Sequence, residues 1–205
     1  MPTQWNDLTL PSPDATVDNT TLLVLCGGAG SRMNGQDKPL LSWRHQPMVC
    51  HVLASVPAAM PKLISANRNL DIYQQWAPVV ADIRDCSDQT MHNGPLTGIL
   101  SGMQACSTPW ILVCPGDTPD LPEQWGERML AAAKNTIDGA VAHDGQRQQH
   151  LHLLLRRSLV ENLHKFIADG GYAAHRWLNS LNLATVRFPG TNPFHNINTP
   201  EDLCD

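Results

Sequence analysis

Along the chain, short unbroken apolar runs alternate with longer stretches whose apolar positions recur every three or four residues. This is the pattern of buried strands interleaved with amphipathic helices. The first run, Leu22 to Gly28, ends in glycines and shows no polar alternation, which predicts a strand covered on both faces of a parallel sheet. Gln46 to Val56 then reads as a helix, Lys62 to Ala66 as a strand, Leu70 to Trp76 as a short helix and Pro78 to Ala81 as a strand. Pro95 to Cys106 follows as a helix and Trp110 to Cys114 as a strand, so the alternation holds through residue 134. It predicts right-handed crossovers in a single-domain α/β fold, with a mostly parallel, mixed sheet and helices on both faces. Ligands of such sheets bind beyond the carboxyl ends of the strands.

The second half is less regular. It offers strands at Gly139 to His143, Gln149 to Arg156 and Ala184 to Phe188, helices at Leu159 to Asp169 and Tyr172 to Ser180, and a last turn from Thr199. Gly170-Gly171 is a helix stop, and Thr199-Pro200-Glu201-Asp202 supplies an N-cap, a proline at the first helical position and acids in the first turn. His150 and His152, two apart on a strand, are expected on one face; with no third ligand they are assigned no metal role. Residues 1–19 carry Pro2, Pro11, Pro13, Asp7, Asp14 and Asp18 without a sustained period. They read as a flexible N-terminal extension before a single domain of residues 20–205.

Composition narrows the function classes. With 42% apolar and 16% charged residues in 205, most of the chain has the material for a packed core and disorder is excluded for it. A net charge of −5 and no basic run longer than Arg156-Arg157 argue against a nucleic-acid partner. Six scattered cysteines with no C-x-x-C pair indicate a reduced, cytoplasmic protein, and no apolar stretch is long enough for a signal or a membrane span.

The chemistry concentrates in Leu25 to Leu41, LCGGAGSRMNGQDKPLL, directly after the first strand. Gly27, Gly28 and Gly30 allow a sharp turn and close backbone approach, and Arg32 and Lys38 add full positive charges, a combination suited to polyphosphate. A dinucleotide fingerprint fails because Met33 stands where the third glycine is required. A P-loop fails because Gly35 is followed by Gln36-Asp37, with the lysine two places late and no hydroxyl for magnesium.

The segment resembles instead the nucleotidyltransferase signature L-x-G-G-x-x-x-R-M-G-x-x-K of the molybdenum cofactor guanylyltransferase family. Leu25, Gly27, Gly28, Arg32, Met33, Gly35, Asp37 and Lys38 match, while Cys26 stands where alanine is usual and Asn34 where glycine is usual. The resemblance continues through Ser65-Ala66-Asn67-Arg68, Asp82, Gly94-Pro95-Leu96-Thr97-Gly98, Cys114-Pro115-Gly116-Asp117-Thr118-Pro119 and Asn196-Ile197-Asn198-Thr199-Pro200, spanning roughly residues 21 to 204. It implies a Rossmann-like nucleotidyltransferase fold and a reaction in which a phosphate oxygen of molybdopterin attacks the α-phosphorus of GTP and pyrophosphate leaves. Such an enzyme accelerates by positioning and charge neutralisation and needs no nucleophile of its own.

By the resemblance, Arg32, Lys38 and Asp117 form the catalytic set, and Asp117 is the ligand of a Mg2+ cofactor. GTP is held by Leu25, Cys26, Gly27, Gly28, Lys38, Ser65, Asp82 and Asp117, and molybdopterin by Asn196 and Asn198. Plainer readings stand beside these. Asp117 before Thr118-Pro119 also suits a turn cap, Asp82 a loop start, and Asn198 an Asx turn before Thr199. Ser65 replaces the family's usual asparagine, His150-Leu151 its usual His-Pro, and residues 83–93 form a longer connection, read as a flap. Molybdopterin, cofactor-insertion chaperones and apo-molybdoenzymes are the implied partners. Two alternatives remain open: cytidylyl or sugar-phosphate nucleotidyl transfer, and a non-catalytic homologue that binds finished cofactor.

Overall fold

The computed structural model describes residues 13–27, 37–82, 94–134, 137–191 and 193–197. Its elements are β1 (Thr20–Leu25), β2 (Ser42–Trp43), β3 (Gln46–Pro47), α1 (Met48–Ala54), β4 (Lys62–Ser65), α2 (Leu70–Tyr73), β5 (Val79–Val80), α3 (Pro95–Ala105), β6 (Trp110–Pro115), α4 (Trp125–Ala132), β7 (Gly139–His143), β8 (Gln148–Arg156), α5 (Val160–Ala168), α6 (Ala174–Leu178) and β9 (Leu183–Arg187). Lys38–Leu40 and Arg157–Leu159 are short 3-10 turns. Each strand read from an apolar run is present. The helix read over Gln46 to Val56 begins only at Met48, because Gln46–Pro47 pairs with Ser42–Trp43 in a small hairpin. The Tyr172 to Ser180 helix shortens to Ala174–Leu178.

Seven strands form one mixed sheet in the order β5-β4-β1-β6-β8-β7-β9. β1 lies between β4 and β6, parallel to both, and all six of its residues are buried. Alternate residues serve opposite layers. Leu22 and Val24 join α1 and α4 through Val49, Val52, Trp125 and Met129, whereas Leu23 and Leu25 join α3, α5 and α6 through Leu96, Ile99, Leu163 and Trp177. A strand covered on both faces needs no polar alternation, which is why its sequence is a continuous run. The close seating of α3 depends on Gly102, where a Cβ would overlap the Leu23 side chain. Among the described residues, no helix is long and apolar enough to cross a membrane.

β8 runs antiparallel to both β6 and β7, making the sheet mixed. The β7–β8 turn is closed by Asp144, whose Oδ1 accepts the backbone N–H groups of Gln146 (2.7 Å) and Arg147 (2.8 Å), with Gly145 at φ +101. Gly170, at φ +83, ends α5 as its sequence implied. Of the N-terminal stretch, residues 13–19 are tied to the domain. The Trp110 indole donates to the Pro13 carbonyl (2.9 Å), and Ala15 and Val17 pack on the core. Residues 1–12 and the turn from Thr199 lie outside the described residues.

The expectation that His150 and His152 share a face is corrected by a register shift. Val141 pairs with Leu153 but Ala142 with Gln149, so the strand is irregular between them. His152 packs against Phe194, with ring centroids 4.5 Å apart, and near Trp125 of α4 at 6.3 Å. His150 lies 6.0 Å from His175 of α6, on the other layer. His152 is buried, and its Nε2 has no hydrogen-bond partner among the described residues. Burial pushes its pKa from the ordinary 6.5 down to about 3.

Because the folded pKa lies below the unfolded one, the stabilisation is fully present above pH 6.5 and lost progressively between 6.5 and about 3. One such group costs about 1.4 kcal/mol per pH unit in that window. Urea titrations between pH 7 and pH 4.5 should therefore give a steeper loss of stability for the native chain than for His152→Met, by up to one proton.

Candidate active site

The carboxyl ends of β1, β4, β5 and β6 emerge on one edge of the sheet, and β1 borders β6 where the chain's progression reverses direction, the position at which open α/β sheets bind ligands. β1 is continued by two backbone bonds that fix its exit. Cys26 N–H donates to the Ser65 carbonyl (2.7 Å), and Gly116 N–H donates to the Leu25 carbonyl (2.9 Å). Leu25 and Cys26 are thereby locked at the rim. A Cβ on Gly116 would stand 2.7 Å from Cys26 Sγ and 3.1 Å from Pro39 Cβ, so glycine is what lets the β6 exit press against both.

One half of the site is built on charge. Lys38 Nζ and Asp117 Oδ2 meet at 2.7 Å although 79 residues separate them, with side chains 16% and 22% exposed. Lys38 opens a 3-10 turn in which Leu40 N–H donates to the Asp37 carbonyl (2.9 Å) and Pro39 is buried. Asp37 is itself buried. Its Oδ2 accepts from Asn69 Nδ2 (2.8 Å) and pairs with Arg68 Nε at 3.5 Å. Cys26 is held neutral: burial pushes its thiol pKa up, and the nearby Asp37, Cys114 and Asp117 raise it further. The buried Tyr73 hydroxyl, close to Cys26 and Asp37, is likewise held protonated, first by burial.

The other half is built on neutral donors around one acid. Asp82, two residues beyond β5, accepts from Asn67 Nδ2 (2.8 Å), from the Ser65 hydroxyl (3.3 Å) and from the Thr97 hydroxyl (3.1 Å). Thr97 has a single proton and also faces the Gly94 carbonyl at 2.8 Å, so that proton is shared. Asn67 closes the pair by accepting the Asp82 backbone N–H (2.9 Å). Gly98, in the first turns of α3, leaves room for Ser65 Oγ, which a Cβ there would approach to 2.6 Å. Gly27 borders this half: a Cβ there would stand 3.7 Å from Asn67 Nδ2.

A third strand of contacts ties the C-terminal segment to Asp117. The buried Thr118 hydroxyl donates to Asn196 Oδ1 (2.6 Å), and Ile197 N–H donates to the Asp117 carbonyl (3.2 Å). The structure thus brings Leu25, Cys26, Gly27, Lys38, Ser65, Asp82, Asp117 and Asn196 to one edge, while Gly28, Arg32, Asn198 and the 83–93 connection lie outside the described residues. Asn67, Thr97, Thr118 and Asp37 were not singled out as site residues. All four stand inside the sequence segments that carried the resemblance, and their partners become visible only when those segments meet.

The family model of the MobA-like NTP transferase domain matches residues 22–186. A molybdenum cofactor guanylyltransferase of Vibrio cholerae is 35% identical over 194 residues, covering 94% of this chain and 93% of its own. One from Cupriavidus metallidurans is 38% identical over 196 residues, covering 91% and 93%. Among solved structures, molybdopterin-guanine dinucleotide biosynthesis protein A of Archaeoglobus fulgidus is similar with a TM-score of 0.68 at 20% identity, over 89% of this chain and 94% of that one. It shares the fold.

Gly116→Ala is expected to destabilise the domain by about 1–3 kcal/mol, the ordinary cost of overpacking a close contact. Combining it with Cys26→Ala, which removes the nearest obstructing atom, should recover part of that loss. Urea unfolding of the two single variants and the double variant measures the coupling.

Proposed function

Because the chain belongs to the molybdenum cofactor guanylyltransferase family of MobA-like NTP transferases, we propose that its rim site transfers GMP from GTP to molybdopterin. A phosphate oxygen of molybdopterin bonds to the α-phosphorus of GTP, the bond from that phosphorus to the bridging oxygen breaks, and pyrophosphate leaves with its electron pair. The observation that carries this reading is the 2.7 Å pairing of Lys38, in the 3-10 turn that comes after β1, with Asp117, two residues beyond the end of the adjacent β6. A cation for phosphate oxygens and a carboxylate for a divalent ion stand side by side where the substrate's charge must be neutralised.

At rest these two groups neutralise each other, so neither charge sits unpaired in a partly enclosed site. On binding the triphosphate, the Lys38 ammonium exchanges Asp117 for phosphate oxygens and steadies the charge that builds there. Nucleotidyltransferases of this kind use a divalent metal, and Asp117 is the residue that would hold Mg2+ here. The donor set fits. Magnesium is commonly bound by one or two carboxylates together with substrate phosphates and water, and the partly exposed Asp117 carboxylate is one such oxygen donor. When bound, the ion withdraws charge from the phosphate oxygens.

Asp82 serves the base. Its carboxylate is oriented by Asn67, Ser65 and Thr97 and, when ionised, is purely an acceptor, which suits the adjacent N1–H and N2–H donors of guanine. Ser65 stands where the family usually has an amide. Its hydroxyl supports Asp82, and the paired amide contact is made by Asn67 instead. Leu25, Cys26 and Gly27, with Gly28, carry the backbone toward the nucleotide. Arg32 adds a second cation on the same loop, and Asn196 and Asn198 serve the molybdopterin side.

Lys38→Ala should lower turnover on the order of a hundredfold, and Asp117→Asn should remove its dependence on Mg2+. Pyrophosphate release measured with GTP, CTP and ATP, with and without molybdopterin, is expected only for GTP with the acceptor. Release with CTP alone would reassign the base, and no release with any of the three nucleotides would leave a cofactor-binding protein.

A further inference from the structure

Asp37 looks at first like an ordinary partner of Lys38 in the loop signature, but it does not face the site. Its carboxylate turns inward, 7% exposed, toward the start of α2. There it meets the Asn69 amide at 2.8 Å and Arg68 Nε at 3.5 Å. Its carbonyl meanwhile closes the 3-10 turn that begins with Lys38, through Leu40 N–H at 2.9 Å. The same residue therefore anchors the Lys38 turn by its side chain and shapes it by its backbone. Pro39, next in the turn, is buried, and its Cβ and Cγ lie 3.1 Å and 3.2 Å from where a Cβ of Gly116 would be.

Asn69 is the unusual member of this arrangement. It holds φ +53 and ψ 33, the left-handed conformation that asparagine tolerates better than most residues. Ile72 N–H and Tyr73 N–H both donate to its carbonyl, so its backbone starts α2 while its side chain reaches 32 residues back to Asp37. Among the described residues, its side chain donates to Asp37 and to none of the groups assigned to substrate. We infer that Asn69 is a positioning residue for the transfer reaction, acting through Asp37 to hold the Lys38 ammonium at the register from which it reaches the triphosphate. This rests on the reading of Lys38 as the phosphate-binding cation.

A small loss of register there is costly, because neutralising developing charge depends on where the cation stands when the bond breaks. The ion pair with Asp117 fixes Lys38 only while the nucleotide is absent. Once Lys38 trades Asp117 for phosphate, the Asp37 anchor continues to fix the start of the turn, beside the buried Pro39.

The backbone of Asn69 supplies a clean test. Asn69→Gly removes the amide donor and at the same time relieves the left-handed conformation, which offsets part of the stability lost with the hydrogen bond, and a thermal midpoint measured beside kcat separates activity from folding. The expected result is a fall in kcat on the order of tenfold, the effect of losing one hydrogen bond to a charged acceptor. KM for GTP should change little, and the thermal midpoint should fall by no more than about a few degrees, leaving the protein folded at the assay temperature. Asn69→Asp, also tolerant of this conformation, sets a second carboxylate against Asp37 and should lower kcat further. In the Lys38→Ala background Asn69→Gly should have no additional effect, because the group it positions is gone. An unchanged kcat for Asn69→Gly beside an impaired Lys38→Ala overturns the inference while leaving the role of Lys38 intact. An equal loss from Asn69→Gly in both backgrounds also overturns it, marking a structural effect unrelated to Lys38. An unimpaired Lys38→Ala variant removes the underlying reading itself.

Discussion

A single contact organises this site: the ammonium of Lys38 against the carboxylate of Asp117, between chain segments 79 residues apart. It requires that β1 and β6 be neighbours, that both be parallel, and that Gly116 let the exit of one strand lie against the turn that follows the other. The two charges also explain each other. Either one alone, at the exposure seen here, would be a partly enclosed, unpaired charge; together they neutralise each other.

Three acids, two at the rim and one turned away from it, are handled in different ways, each in keeping with the role proposed for it. Asp37 is turned inward and held by Asn69 and Arg68, so it anchors. Asp82 is surrounded by neutral donors from β4, the segment after it and α3, which orient its carboxylate without cancelling its charge. Asp117 has a cation as its partner and keeps part of its surface open. Such divisions cannot be inferred from residue type, since each is an aspartate after or near a strand end.

Much of the architecture was legible in the sequence because β1, β4 and β6 are short apolar runs and α5 carries a strong periodic pattern. Burial on both faces imposes the first and one-sided packing the second. The boundaries that shifted have local causes. Gln46–Pro47 is drawn into a hairpin with Ser42–Trp43, and the tail of residues 13–19 is held by a carbonyl accepting the Trp110 indole, a contact 97 residues distant in sequence. The pairing of His150 with His152 on one face was lost to a register irregularity, which leaves no trace in a two-residue spacing.

By itself the sequence determined the alternation of strands and helices and the glycine-rich segment after the first strand, which depend on local periodicity and on residue chemistry read along the chain. The resemblance it carries put Lys38, Asp82 and Asp117 forward as candidates for the site. Only the tertiary structure decided that Asp117 answers Lys38, that Asn67 rather than Ser65 makes the paired contact with Asp82, and that Asp37 faces Asn69 instead of the ligand edge. Those outcomes depend on which strand ends are brought side by side and in what register, and register is settled by packing across the whole sheet.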